Sequence, residues 1–367
     1  MSELRPQKVI LLYGARRVGK TVLTQQIAKS YNGKVEILNA EDINTITMLS
    51  QRTASNYRQL FSDIDLLIID EAQHIPDIGW ILKLLTDELH HLSIIASGSS
   101  SFDLQNKAGE PLVGRSYEFM LYPLSVNELL QQTSAVRLMQ DIEWQLIYGS
   151  YPELLSIEEP IRRQRYLNEI VSSYLLRDIM SIDGVKKSAK MIQLLQLLAY
   201  QVGSEVSYDE LANRLALSRN SVEKYIDLLT KAFIIYRLPA FSRNPRKEVS
   251  KPGKIYFCDN GIRNAVIGDF RPLVVRQDTG ALWENYLITE RRKFHNNQEI
   301  FSRQYFWRTY NGQEIDLIEE INGQINAYEF KWGRHQPKVP SAFKEMYPDA
   351  TYQIINQDNM LLFCGCK

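Results

Sequence analysis

A glycine-rich segment near the amino end has the residue types that surround a bound phosphate. It reads Gly14-Ala15-Arg16-Arg17-Val18-Gly19-Lys20-Thr21 and matches the pattern GxxxxGK[ST] at every fixed position. The two glycines permit backbone angles that turn amide N–H groups toward phosphates. Lys20 can reach the β- and γ-phosphates, and the Thr21 hydroxyl can ligate Mg²⁺. An ordinary turn before a helix is the alternative, but the position between an apolar run and a helical pattern favours an ATP-binding phosphate loop.

A pair of acids, Asp70 and Glu71, follows the continuous apolar run at residues 66–69. In this position Asp70 would hold Mg²⁺ through water, and Glu71 would polarise the water that attacks the phosphate. An Asp after a strand can instead cap the following helix. The phosphate loop upstream favours the catalytic interpretation. Ser97 and Ser99, at the end of a further strand, are candidates for contacting the γ-phosphate, although Ser-Gly-Ser is also common loop chemistry.

A lone arginine, Arg115, follows Gly114 and precedes another apolar segment at residues 119–124. An arginine beside a nucleotide can stabilise the charge that develops on the transferred phosphoryl group. Most lone arginines only lie solvated on a surface. Arg115 is therefore a candidate catalytic residue, with an ordinary surface role as its alternative.

The last third of the chain carries a second group of candidate catalytic residues: Glu284, Asp316, Glu329 and Lys331. Asp316 and Glu329 would lie on neighbouring strands, where two carboxylates can bind a divalent cation. Lys331 would then orient a water or stabilise charge on phosphorus, which is the chemistry of phosphodiester cleavage. Glu-x-Lys is also common on an exposed strand face, as a cross-strand charge pair. With Glu284 on the preceding helix, these four residues favour a nuclease-type fold. The fold alone does not imply nuclease activity.

The middle of the chain contains a helix-turn-helix pattern over residues 206–229, in which Ser218 is a good N-cap for the second helix. A strand-like run at residues 234–238 could begin a wing. The second helix would offer Arg219, Asn220, Ser221 and Lys224 to a DNA groove. A basic stretch follows, made of Arg237, Arg243, Arg246, Lys247, Lys251 and Lys254. DNA is the partner that this region predicts, and a structural or protein-binding module is the alternative.

The elements that must position these residues alternate between strands and helices. Strand-like runs at residues 8–13, 66–69 and 92–96 alternate with helical patterns at 21–30 and 80–89. Residues 126–200 are rich in helix formers, and a helix at 280–294 precedes strands at 301–308, 314–318 and 324–332, with Asn-Gly turns between them. The predicted fold is therefore α/β: a P-loop NTPase parallel sheet over residues 1–130, a helical and winged-helix region over 131–245, and an α/β restriction-endonuclease-like domain over 246–367.

Composition sets the outer limits. The chain has 367 residues, is 44% hydrophobic, and balances 43 Lys and Arg against 43 Asp and Glu. A nucleic-acid surface would therefore have to come from local clustering of charge. Three cysteines are too few and too uneven for a disulfide framework or a four-ligand zinc site. The sequence has no signal-peptide pattern and no apolar run long enough to span a membrane, so we expect a cytoplasmic protein.

Several longer motifs resemble those of a prokaryotic family of AAA-type ATPases. They are the phosphate loop, residues 66–71, SGS at 97–99, GR at 114–115 with LYPLS at 121–125, YGSYPE at 148–153, YLLRD at 174–178, IYFCDNG at 255–261, GALWEN at 280–285 and YFWRT at 305–309. In that family an AAA ATPase domain precedes a winged helix and a carboxyl-terminal domain similar to restriction-endonuclease-like folds. The resemblance implies ATP hydrolysis by Lys20, Thr21, Asp70 and Glu71. It also implies that Glu284, Asp316, Glu329 and Lys331 occupy the positions of a PD-(D/E)xK-like site.

Two functions compete at this point. In the first, ATP hydrolysis repositions a DNA-binding winged helix and a metal-dependent nuclease domain. In the second, ATP state only switches binding to DNA or to a protein partner, and the carboxyl-terminal domain is an inactive scaffold. The second is favoured by the lack of a recognisable arginine-finger motif. Monomer, dimer and ring all remain open as the working form.

Overall fold

The computed structural model describes residues 3–98, 110–175, 188–242 and 253–366. The chain divides into two compact units, each described by itself below. The first contains Met1–Tyr122 and Lys231–Phe233, and the second contains Pro123–Thr230 and Ile234–Lys367.

The first unit is built around a five-stranded parallel sheet. Its strands are β1 (Val9–Tyr13), β2 (Val35–Asn39), β3 (Leu66–Asp70), β4 (Ser93–Gly98) and β5 (Ser116–Met120), in the spatial order β2-β3-β4-β1-β5. The helices are α1 (Lys20–Ser30), α2 (Ile43–Ser50), α3 (Ala54–Phe61) and α4 (Ile78–Glu88). All four strand pairs are parallel. Together with the mixed sheet of the second unit, this confirms the predicted α/β class.

The central strands of this sheet are buried on both faces, as their continuous apolar sequence predicts. Every residue of β3 and of β4 is buried. Helix α4 covers one face with an apolar stripe at helical spacing, which includes Ile78, Ile81, Leu82 and Leu85. Each such side chain stabilises the fold by about 1.5–3 kcal/mol when fully buried. The sheet is therefore a rigid support, and the loops at its carboxyl edge carry the candidate site.

The second unit begins with a run of helices. They are α5 (Val126–Leu129), α6 (Ala135–Gln140), α7 (Ile142–Tyr148), α8 (Pro160–Glu169) and α9 (Ser188–Tyr200), with a π-helical segment over Ile170–Leu175. Helix α5 starts with a capping box, in which the Ser125 hydroxyl accepts the Glu128 amide and the Glu128 carboxylate accepts the Ser125 amide. The predicted helices of residues 126–200 are present in the described residues, with an interruption between α7 and α8, where the sequence predicts a turn around residues 149–152.

Two further helices and a strand ribbon follow. Helices α10 (Tyr208–Leu215) and α11 (Arg219–Lys231) are joined by a turn, and strands β6 (Ile235–Leu238) and β7 (Lys254–Phe257) pair antiparallel. The Ser221 amide donates to the Ser218 hydroxyl at 3.1 Å, which is the predicted N-cap contact. Helix α11 buries Val222 and Tyr225 among others, while Arg219, Asn220 and Lys224 are exposed.

The carboxyl-terminal part is a four-stranded mixed sheet with helices. Helices α12 (Asn260–Ile267) and α13 (Thr279–Asn297) precede strands β8 (Arg303–Arg308), β9 (Glu314–Ile321) and β10 (Gln324–Phe330), which form two antiparallel hairpins. After α14 (Ser341–Met346), strand β11 (Thr351–Ile355) pairs parallel with β10, and α15 (Met360–Phe363) follows. Asn322 and Gly323 both have positive φ, 51° and 81°, as a two-residue type I′ hairpin turn requires.

One buried amide fixes strand β7 against helix α13. The Asn285 side-chain oxygen accepts from the Phe257 amide at 2.7 Å, and its nitrogen donates to the Phe257 carbonyl at 3.0 Å and to the Asn260 side chain at 2.6 Å. Asn285 is 1% exposed. Its amide therefore satisfies backbone groups that would otherwise be buried without a partner.

Replacing Asn285 by Ala should destabilise the second unit. We expect a loss of about 2–4 kcal/mol in the free energy of unfolding, because the buried Phe257 amide loses its acceptor and a polar network is broken. Urea denaturation of the full chain measures the change. Asn297→Ala, at the exposed end of the same helix, is the control and should cost less than about 0.5 kcal/mol. Equal stability of the two variants would contradict the role given to Asn285.

Candidate functional site

The phosphate loop connects β1 to α1 at the carboxyl edge of the parallel sheet. A Cβ atom at Gly14 would overlap the backbone oxygen of Leu121, so only glycine fits there. Gly19 has φ 102° and is the N-cap of α1. Arg17 also has a positive φ, 67°, and is exposed, whereas Ala15 and Val18 are each 3% exposed. The loop backbone is therefore shaped by its own sequence and by close packing beneath it.

The Lys20 ammonium lies against the inside of this loop. It donates to the Gly14 carbonyl at 2.9 Å and to the Ala15 carbonyl at 3.0 Å, and the residue is only 5% exposed. Helix α1 begins at Lys20, so its unpaired amide groups and positive dipole end face the same region. A positive side chain and a positive helix end together suit an anionic phosphate.

Asp70 joins the two halves of the predicted magnesium site. Its Oδ2 accepts from the Thr21 hydroxyl at 2.7 Å, and its Oδ1 accepts from the Ser97 hydroxyl. The strand order brings them together, because β3 and β1 flank β4, which carries Ser97. A hydroxyl and a carboxylate at this spacing are the hard oxygen donors that Mg²⁺ prefers, so these residues fit that ion.

Glu71 has a strained backbone next to this site. Its φ of 52° and ψ of 39° place a non-glycine residue in the left-handed region, which costs of order 1–3 kcal/mol and clusters at functional sites. Its amide donates to Asp70 Oδ1 at 3.2 Å, and its carboxylate accepts from the Gln73 side chain. Sequence reasoning missed this contact of Gln73 with Glu71, since no spacing rule singles out a glutamine after two acids.

One other predicted residue, Arg115, does not join this group in the described structure. Arg115 precedes β5, and its carbonyl accepts from the Val9 amide at the amino end of β1, so Arg115 lies at the opposite edge of the sheet from the loop. Five strand residues separate the edges by about 16 Å. The Arg115 guanidinium pairs with Asp87 at 3.0 Å. Ser99 lies outside the described residues.

The second predicted group is brought together by the carboxyl-terminal sheet. Asp316 lies on β9, and its Oδ2 accepts from the Phe330 amide at 2.8 Å. Lys331 donates to Glu329 Oε1 at 2.6 Å, so Glu329 and Lys331 share a face while Phe330, 5% exposed, turns into the core. The alternation predicted from the sequence thus places the side chains as expected.

Burial and mutual repulsion perturb these carboxyl groups. Burial raises the pKa of Glu284 to about 7, and the Asp316 charge adds to the rise. Burial also raises the pKa of Asp316, and burial and the Asp316 charge raise the pKa of Glu329. Burial alone would lower the pKa of Lys331, but its bond to Glu329 and the Asp316 charge raise it overall. The cluster is therefore a place where positive charge or a proton is favoured.

Glu284 is held by residues that were not predicted to belong to this site. Its Oε1 accepts from the Lys254 ammonium at 3.1 Å and from the Tyr256 hydroxyl at 2.5 Å. Lys254 also contacts Glu314 Oε1 at 2.5 Å, and it is only 2% exposed. The prediction that placed Lys254 in an exposed basic stretch is wrong, because strand β7 turns this side chain inward. Arg243, Arg246, Lys247 and Lys251 of that stretch lie outside the described residues.

Metal binding at this second group would depend on few carboxylates. Within the described ranges, no three His, Cys, Asp or Glu side chains are grouped so that they could hold a metal ion. Mg²⁺, however, commonly keeps several waters and uses only one or two carboxylates. Glu329 Oε2 is buried without a hydrogen-bond partner. That atom and the Asp316 carboxylate fit one such cation.

None of the helices in the described part of the chain combines the length and apolarity needed to cross a membrane.

Comparisons with known proteins divide the chain into three matched segments. Residues 6–130 match a family model described as an AAA domain. Residues 139–272 match a domain of unknown function, DUF8612, and residues 279–364 match another, DUF4143. The first match and the phosphate loop support an AAA-type P-loop ATPase domain at the amino end. The other two matches carry no activity in their descriptions.

Similar proteins occur in bacteria and archaea. An uncharacterized protein of Mycobacterium tuberculosis is 28% identical over 341 residues, which cover 92% of this chain and 72% of the relative. One from Haemophilus influenzae is 28% identical and covers 70% of this chain and 69% of the relative. One from Methanocaldococcus jannaschii is 25% identical and covers 82% of this chain and 70% of the relative.

One solved structure with some similarity to this chain is domain III of the Thermotoga maritima replication initiation protein DnaA. It is 17% identical to this chain, with a TM-score of 0.27, and the alignment covers 60% of this chain and 83% of that one. At this TM-score the similarity assigns neither a function nor a partner to this chain.

Proposed function

We propose that the chain binds and hydrolyses ATP in its first unit and uses the nucleotide state to control association with DNA. The observation that carries the nucleotide part is the bond of 2.7 Å between the Thr21 hydroxyl and Asp70 Oδ2. It joins a phosphate loop to an acid on a different strand, as Mg²⁺-dependent phosphoryl transfer requires. An isolated turn or a helix cap has no reason to make this contact.

The residues of the first unit take distinct roles in this proposal. Lys20 and the loop amides bind the β- and γ-phosphates, while Thr21 and Asp70 would hold Mg²⁺, which would neutralise phosphate charge. Glu71, oriented by Gln73, positions the attacking water. Ser97 holds the Asp70 carboxylate in place and lies where a γ-phosphate contact is proposed. Arg115 can serve only a nucleotide bound elsewhere, such as that of a neighbouring chain in a homo-oligomer, because it lies at the far sheet edge.

Lys20→Ala should weaken ATP binding by about 100-fold or more, which corresponds to ~2.7 kcal/mol, because a charge-assisted phosphate contact is lost. Equilibrium titration with a fluorescent ATP analogue measures the affinity. Lys29→Ala is the matched control, since Lys29 is exposed on the same helix, and it should bind like the wild type. If wild type and Lys20→Ala have the same affinity, the phosphate-loop assignment fails.

The helix-turn-helix and the β6–β7 ribbon support the DNA part of the proposal. Together they have the order of a winged helix, and α11 exposes Arg219, Asn220 and Lys224. The same helix also exposes Glu223 and Asp227, and Arg219 is paired with Asp209 at 3.0 Å. This mixed charge supports modest, salt-sensitive DNA affinity. It also keeps a protein partner as the competing proposal for this surface.

The carboxyl-terminal domain is proposed to cleave phosphodiesters with a divalent cation. The supporting observation is that Asp316, Glu329 and Lys331 meet on two adjacent strands. Asp316 and Glu329 would hold the cation, which would stabilise charge on the scissile phosphate. Lys331 would orient the attacking water, and Glu284 would lie behind them as a proton-accepting carboxylate. The division into domains at residues 1–130, 131–245 and 246–367 is part of this proposal.

Lys331→Ala should reduce DNA cleavage by about 100-fold, because the group that orients the water is removed. Single- and double-stranded DNA are incubated with the proteins and Mg²⁺, and products are resolved on gels. Lys344→Ala, an exposed lysine of α14, is the control and should cleave like the wild type. Inert wild type and inert Lys331→Ala on both substrates would end the nuclease proposal and leave the scaffold alternative.

The alternative is a nucleotide-gated switch whose carboxyl-terminal domain is a scaffold. The position of Arg115 favours it, since an arginine at the opposite edge of the sheet cannot stabilise charge on a nucleotide bound at the loop of the same chain. A switch requires that DNA affinity differ between the ATP and ADP states. Fluorescence anisotropy with labelled DNA should then show at least about a tenfold difference, or ~1.4 kcal/mol. Equal affinities in the two states would rule out a switch acting on DNA.

A further inference from the structure

The most unusual charged group in the second unit is the ammonium of Lys254. Strand β7 carries it into the interior, where the residue is 2% exposed. A lysine is almost never buried to this extent unless it is paired. Its long side chain passes the Phe306 ring, with the ammonium 5.4 Å from the ring centroid. The ammonium is thus delivered to one fixed point inside the domain.

Carboxylates from two different elements converge on that point. Glu284 Oε1, from helix α13, lies 3.1 Å from the ammonium, and Glu314 Oε1, from strand β9, lies 2.5 Å from it. Asp316 acts on the same group through its charge. The Tyr256 hydroxyl donates to Glu284, and Arg308 reaches Glu314 Oε2 at 3.6 Å from the partly exposed side. Hard divalent cations are bound in a similar arrangement, in which several oxygen atoms face one central positive charge.

Asp316 and Glu329 form the other half of this carboxylate cluster. Glu329 is bonded through Oε1 to Lys331, while its Oε2 is buried without a partner. No such unpaired oxygen occurs on Glu284 or Glu314 among the described buried atoms. Glu284 and Glu314 thus each give one oxygen to the Lys254 ammonium, whereas Glu329 keeps a buried oxygen without a hydrogen-bond partner.

We infer that the Lys254 ammonium stands in place of a divalent cation between Glu284 and Glu314, which leaves Asp316 and Glu329 as the position for a metal ion in this cluster. This inference deepens the metal-dependent part of the proposed function. It rests on that proposal only for the metal position at Asp316 and Glu329. Removal of the ammonium should convert the Glu284–Glu314 half into a metal site. The Glu284 and Glu314 carboxylates already face the same point. Without the ammonium they would repel each other, and a bound divalent ion would relieve that repulsion.

The test counts bound Mn²⁺ in the full chain by isothermal titration calorimetry, without nucleotide, at pH 8. Lys254→Met should bind one Mn²⁺ ion more than wild type. Lys254→Met with Glu284→Gln should lose the additional ion, because one of its two carboxylates is gone. An unchanged Mn²⁺ count in Lys254→Met, or an additional ion that survives Glu284→Gln, overturns the inference.

Thermal unfolding keeps the inference testable where Lys254→Met folds poorly. Mn²⁺ should raise the Tm of Lys254→Met by several degrees more than it raises that of wild type, or restore its native circular dichroism. A variant that Mn²⁺ neither stabilises nor refolds overturns the inference. The outcome is separable from the nuclease proposal, because a wild type that cleaves no DNA leaves the difference in Mn²⁺ count unaffected.

Discussion

The contact between Thr21 and Asp70 is the constraint on which the nucleotide site depends. The two residues are far apart in sequence: Thr21 lies in the helix after β1, and Asp70 is the last residue of β3 in the same parallel sheet. Parallel strands deliver their carboxyl ends to a common edge, so the loop after β1 and the acids after β3 can meet only there. The buried apolar strands fix that edge, and hydroxyl–carboxylate bonds of Thr21 and Ser97 set the orientation of the Asp70 side chain.

The carboxyl-terminal cluster obeys a different constraint, which is charge balance inside a low-dielectric interior. Several carboxylates lie close together, and each ionised group raises the cost of ionising the next. Two lysines in different environments offset part of this negative charge. Lys254 is 2% exposed, while the side chain of Lys331 is 32% exposed. Asn285 contributes indirectly, because it fixes β7, the strand that carries Lys254, against α13, the helix that carries Glu284.

Sequence patterns predicted most of the architecture because local rules agreed with tertiary ones. Continuous apolar runs gave β3 and β4, and Asn-Gly marked the β9–β10 turn, where both residues have positive φ. The phosphate loop was predicted from the spacing of its residues, and Asp70 and Glu71 from their position after an apolar run. Arg115 was not, because proximity to an apolar run says nothing about which end of a strand a residue occupies. Lys254 was misjudged for a related reason: its burial depends on carboxylates distant in sequence, on α13 and β9. Gln73 has no local signature at all.

The bonds of the Lys20 ammonium to the Gly14 and Ala15 carbonyls have a thermodynamic consequence. The loop supplies its own oxygen ligands to the lysine, so an incoming triphosphate competes with them rather than meeting a bare charge. When a nucleotide binds, Lys20 would exchange carbonyl acceptors for phosphate acceptors. The net binding free energy from this lysine is then the difference between its interaction with phosphate and its interaction with the two carbonyls. Such an exchange discriminates by ligand charge, because a neutral or weakly anionic molecule has little advantage over the carbonyls it would displace.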